Sequence, residues 1–140
     1  MRRLLSMFVL LGMIVFPSPL GASDSSVTDK AVEAAEAWLA MVDAGNAQGS
    51  WDQASALFKT SLPAKDWKEA MAAIRVPFGP VLGRKSSSAV FTTSVPGAPD
   101  GEYVVIQFDT AFANKLGAVE TVTPQKEKDG TWRVSGYYIR

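Results

Sequence analysis

The sequence predicts an α+β fold: three N-terminal helices packed on one face of a curved, cone-like four-stranded antiparallel sheet. Apolar residues recur at helical spacing as far as Ile74, and from Val81 onward the period changes to two. The chain then closes on two β-rich runs, 118–123 and 131–139, about a Lys128-Asp129-Gly130 turn. Helices followed by strands is the order of a sheet that lays one face on the helices.

Ser26 or Thr28 is expected to cap the first helix, with Asp29 and Glu33 near its positive end, and Gly45 stops it. Val32, Ala35, Trp38, Leu39 and Val42 then share one face, so this helix covers something. A second start is read at Ser50, where Gln53 completes a capping box, and Trp51, Ala54, Leu57 and Phe58 mark a short helix to Lys59. The third begins at Leu62-Pro63, because the first turn has N–H groups to spare. It carries Trp67, Ala70, Met71 and Ile74 inward, and Pro77, Gly79 and Pro80 end it.

Residues 81–85 and 89–95 read as strand material broken by a serine run, and 96–101 as a turn rich in Pro and Gly. Residues 102–110 form the most apolar strand, with Val104, Ile106 and Phe108 on one face and Tyr103, Val105, Gln107 and Asp109 on the other. Apolar residues on both faces suggest a central position. A link over 112–117 leads to the closing hairpin.

The register of that hairpin matters, because a slip of one residue moves every side chain to the other face. A two-residue turn sets Lys126 opposite Arg133, a like-charge pair. A three-residue loop with Gly130 left-handed removes the clash and is preferred. It places Val119 beside Ile139 and gathers Trp132, Val134, Gly136, Tyr138, Val122 and Ala118 on one apolar face. Glu120 joins that face near Tyr138, where its carboxylate needs Arg75, Arg84 or Lys115 as partner; the alternative is that it faces water at the sheet edge.

Arg2 and Arg3, the apolar run 4–16 and the turn-forming or mostly small residues 17–22 have the layout of a secretory signal peptide, with cleavage expected at Ala22 or Ser23. The apolar run is about half of what spans a bilayer. The expected division is a signal peptide over 1–22, a polar tail over 23–27 and one domain over 28–140, periplasmic or secreted, with no membrane attachment once the signal is removed. Without Arg2 and Arg3 the chain carries a net charge of −2, which attracts neither nucleic acid nor anionic lipid. There is no histidine and no cysteine, which excludes Ser-His-Asp and Cys-His nucleophiles, thiol redox chemistry and ordinary zinc or copper sites. No cofactor is expected.

Ala37-Trp38-Leu39, Asp43-Ala44-Gly45, Ser50-Trp51, Arg75-Val76-Pro77-Phe78-Gly79, the segment 96–103, Phe112-Ala113-Asn114-Lys115, Glu120-Thr121-Val122 and the segment 129–137 together resemble the domain-of-unknown-function 4019 family. The resemblance implies an exported bacterial protein of unassigned activity. The element order is also similar to the nuclear-transport-factor-2-like superfold, which implies a cone whose open end often holds a small apolar ligand. Fold likeness alone assigns no activity.

Three functions stay open on the residues. A binding or interaction module would hold a small apolar ligand between the third helix and the sheet, near Trp67, Met71, Val104, Phe108 and Trp132, or would meet another exported protein. The plain alternative for the four tryptophans is core packing. An acid-base enzyme would use Glu120 with Tyr138, or Asp109 with Tyr103. A structural subunit would pair through Tyr103, Val105 and Tyr137 on an exposed sheet. Arg75, Arg84, Lys115 and Glu120 are expected as an ion-pair cluster, or as a grip on an anionic group.

Overall fold

The computed structural model describes residues 22–140, so the expected signal segment up to Gly21 lies outside the described residues. Among the described residues, four helices precede four strands: α1 (Ala22–Asp43), α2 (Ala47–Gln53), α3 (Ala56–Ser61), α4 (Ala64–Phe78), β1 (Val81–Thr92), β2 (Tyr103–Phe112), β3 (Lys115–Lys126) and β4 (Trp132–Ile139). The strands form an antiparallel meander in the order β1-β2-β3-β4, and α1 lies across all of them.

The helical part differs from expectation in three places. α1 already includes the residues expected as a polar tail. The single second helix is two, because Ser55 interrupts it and caps α3, its hydroxyl accepting from Phe58 N–H at 3.1 Å. Asn46, not Ser50, caps α2, and Ser50 lies buried within that helix. The apolar stripe of α1 does face the sheet: Ala35, Trp38, Leu39 and Val42 are all buried.

α4 packs against α2 and turns one row of residues, Trp67, Met71 and Arg75, into the fold. Arg75 takes the inward place expected of Ile74, which is 44% exposed. The helix ends at Gly79, whose φ is 74° and whose missing Cβ would meet Asn114 Nδ2 at 3.1 Å. The β2–β3 turn caps that end: Asn114 donates to the carbonyls of Pro77 and Phe78, and Ala113 N–H to that of Pro80. The link expected over 112–117 is thus a tight turn, and Lys115 already belongs to β3.

Bulges set which residues face the helices. β1 runs unbroken through its serine run, which absorbs an extra residue between Ser86 and Ser88. In the closing hairpin Gly130 has a φ of 83° and Gln125 faces Arg133, as in the preferred three-residue register. Beyond the turn, Ser135 bulges out between the pairs Pro124–Val134 and Thr123–Gly136, and the register slips by one. Glu120 therefore faces Ile139, and Val119 exchanges backbone hydrogen bonds with Arg140. The slip puts Tyr137 on the helix side and sends Tyr138 to the outside, 55% exposed, correcting the expected face.

Candidate functional site

Two clusters occupy the space between helices and sheet. The first is aromatic. Trp38 stacks on Trp67 with ring centroids 5.5 Å apart, and Phe58 and Tyr137 meet both edge-on. Ser50 ties the two indoles down: Trp38 Nε1 donates to its carbonyl at 2.8 Å and Trp67 Nε1 to its Oγ at 2.9 Å. No indole N–H of this pair is left without an acceptor, which a buried tryptophan requires.

The second cluster is ionic and is built around Glu120, which is 0% exposed. Arg84 Nε donates to its Oε1 at 2.8 Å, Thr110 Oγ1 to the same oxygen at 2.6 Å, and the Tyr137 hydroxyl to Oε2 at 2.5 Å. Asp43, the last residue of α1, closes a ring. It accepts from Arg75 Nη2 at 2.6 Å and from Arg84 Nη1 and Nη2 at 2.7 and 3.0 Å. Burial pushes the Asp43 carboxyl up, but the hydrogen bonds and charges of Arg84 and Arg75 outweigh it and hold the carboxyl below its ordinary range. Burial, together with the negative charge of Glu120 and the hydrogen bond to it, raises the Tyr137 hydroxyl above its ordinary range and keeps it protonated.

Arg75 is the least satisfied member. Its side chain is 9% exposed, its guanidinium lies over the Phe112 ring at 4.8 Å, and Nη1 stands 4.0 Å from Glu120 Oε2, too far for a hydrogen bond. Nε and Nη1 have no hydrogen-bond partner. The positive charge of Arg75 opposes the rise of the Tyr137 hydroxyl without reversing it.

The structure thus brings Arg75, Arg84 and Glu120 together and leaves Lys115 out, with its ammonium 5.7 Å from the centre of the Phe78 ring. The position that sequence reasoning missed is Asp43. Its signal was present: a carboxylate at the C-terminal end of a helix sits against the dipole and calls for cations from elsewhere.

Of the expected pocket residues, Val104 and Phe108 are fully buried in the core and Trp132 packs at its margin. Trp67 and Met71 line a cleft of about 220 Å³ between α4 and the end of β4, with Leu62, Ile74 and Ile139 as further apolar walls and Arg75 in its lining. A wider cleft of about 440 Å³ flanks α4 on its other side, bounded by Asp43, Lys68 and Arg75.

Neither pair named for acid-base chemistry forms. Glu120 meets Tyr137 rather than Tyr138, and each of its oxygens already accepts a hydrogen bond. The Tyr103 hydroxyl donates to the carbonyl of Pro99 at 2.6 Å, while Asp109 is exposed. Among the described residues no group of three or more Asp or Glu could hold a metal ion.

The model of the family described as "Protein of unknown function (DUF4019)" matches residues 34–137, a span that includes both clusters. No curated protein and no solved structure matches the chain. The chain belongs to that family.

Proposed function

We propose that this chain is an exported small-ligand-binding module whose ligand lies in the cleft between α4 and β4. One observation carries the reading: α4 enters the fold by a single row of residues, and beside that row an apolar cleft opens toward Arg75 and Tyr137. A concave apolar site with a few convergent polar groups is the usual form of a small-molecule site. The Arg2-Arg3 start and the apolar run 4–16 support export to the periplasm or the medium. Helices on one face of a four-stranded meander support the likeness to the nuclear-transport-factor-2-like cone.

Native mass spectrometry of protein purified gently from its own periplasm or culture fluid tests the reading. A co-purifying small molecule is expected. A ligand-free protein whose native state also fails to take up a hydrophobic dye would sink it.

A second reading, a protein-interaction module, is favoured by β1. This twelve-residue edge strand exposes Leu82 at 64% and Val90 at 59%, and an uncovered edge can pair with another chain. Sedimentation at several concentrations separates a self-pairing strand from a monomeric binder.

A further inference from the structure

The two edges of the sheet differ in how they are covered. β4 meets the junction of α2 and α3, where Ser55 N–H donates to the Val134 carbonyl at 2.9 Å, and it carries the Ser135 bulge. β1 pairs with β2 on one side, and among the described residues nothing pairs with its other side. An open edge offers N–H and C=O groups to another strand, and proteins usually guard such edges with charges, prolines or bulges.

β1 is guarded over only half of its length. Its first half holds Arg84 and Lys85 and both of its register shifts, one at Leu82 and one at Ser87. From Ser88 to Thr92 the pairing with β2 is unbroken, and no charged residue occurs from Ser86 to Pro99. This unguarded half exposes an apolar side chain on each face. Val90, 59% exposed, pairs with Val105 on the outer face, and Phe91, 41% exposed, pairs with the buried Val104 on the helix face.

The unguarded segment is complementary to itself. An antiparallel pair of identical strands has a two-fold axis, at which one position meets its own copy. With Val90 on that axis, Ala89 of each copy lies opposite Phe91 of the other, a small side chain against a large one on the helix face. Ser88 lies opposite Thr92 on the outer face, where hydroxyl pairs are favourable. The two Lys85 residues then stand about 33 Å apart along the strands, so these like charges do not face each other.

We infer that β1 pairs antiparallel with β1 of a second copy over Ser88–Thr92, joining two four-stranded sheets into one of eight strands. This rests on the interaction reading of β1 above and names its partner. The paired segment is short beside the roughly 20–30 residues a side of a standard interface, so the dimer is weak and depends on concentration.

Sedimentation equilibrium of the protein from micromolar to millimolar concentration is expected to show a reversible monomer–dimer equilibrium. Val90→Lys sets two ammonium groups face to face at the axis and should weaken the dimer about tenfold or more. Val90→Glu should do the same. An equimolar mixture of the two variants should restore association, because residue 90 meets only its own copy. Leu82→Lys changes a comparably exposed residue in the guarded half and should leave the dimer unchanged. Both positions lie at the surface, and circular dichroism verifies that the variants fold. A dimer that Leu82→Lys abolishes and Val90→Lys spares would overturn the inference, as would a mixture that associates no better than its parts. A protein that stays monomeric throughout would also overturn it, and a capped peptide of alternating Thr and Val then decides the broader reading by amide hydrogen exchange. Added protection within Ser88–Thr92 would leave β1 an interaction edge for some other strand. No added protection would remove both.

Discussion

The aromatic and ionic clusters hang from the same scaffold and answer to different physics. α1 supplies Trp38 to one and Asp43 to the other, α4 supplies Trp67 and Arg75, and the sheet supplies Tyr137 and Glu120. Tyr137 belongs to both, through its ring and its hydroxyl. In the aromatic cluster, buried area and close packing act without charge, and both indole N–H groups are satisfied within it. In the ionic cluster the charges balance but the hydrogen bonds do not, and Asp43, with 26% of its side chain exposed, opens the ring to solvent. The comparison teaches that α4 is seated with its donor paired at Trp67 and with two donors unpaired at Arg75, and that both clefts beside the helix include Arg75 in their lining.

The largest effect expected is that of Trp67→Ala. It removes the stacked ring and the donor to Ser50 together, and should cost about 4 kcal/mol in denaturant unfolding. A loss below about 1 kcal/mol would mean that the aromatic cluster does not hold the helix.

Next comes Glu120→Gln, at about 3 kcal/mol, because it leaves the buried Arg75 and the partly buried Arg84 short of their counter-charge. Combined with Arg84→Met it should do markedly less harm than the sum of the two single changes, with a coupling of about 1 kcal/mol or more. Lys115→Met serves as the control and should simply add. Additive behaviour with Arg84 as well would show that the ring does not act as a unit.

Tyr137→Phe tests the join between the clusters. The ring stays, the hydroxyl goes, and about 2 kcal/mol should be lost at neutral pH, the value of a hydrogen bond to a charged group. The folded-state acidity sets the pH window. The hydroxyl is raised above its ordinary 10.0, so the wild-type advantage is complete below about pH 10 and shrinks as pH rises beyond it. Unfolding free energies of the two proteins should therefore converge in alkali. A constant difference up to the alkaline limit of folding would mean that the phenol feels neither Glu120 nor burial.

Much of this arrangement could be read from residues, and the parts that could not have identifiable reasons. The α1 stripe was legible because its spacing admits only one buried face, and the Gly130 turn because Asp-Gly has few alternatives. The exchange of Tyr138 for Tyr137 was missed because one bulged residue inverts a strand, and periodicity cannot see a single insertion. Pro124 carried the warning. A proline has no N–H for the ladder, so within a central strand it marks a bulge, and the Ser135 bulge lies beside it. Arg75 was expected as an ion partner of Glu120, but the inward face of its helix was read through Ile74; Asp43, distant in sequence, supplies the second carboxylate toward which the helix turns the arginine. Such choices rest on pairings between elements, which no local pattern encodes.

The smallest effect expected is the one most sensitive to conditions. Asp43→Asn should cost about 1 kcal/mol near neutral pH, since the carboxylate is partly exposed and water already screens it. Its folded-state acidity is depressed, so its contribution is complete above its ordinary 3.8 and fades as pH falls through the lower folded value. Wild type and variant should therefore differ most at neutral pH and converge in acid. Salt at about 1 M should also narrow the gap, because the Debye length falls to about 3 Å. The aromatic cluster, probed by Trp67→Ala in the same buffers, should be almost indifferent to both changes. If acid and salt weaken the two variants' deficits alike, the division between a neutral fastening and a charged one fails, and the two clusters act as one core.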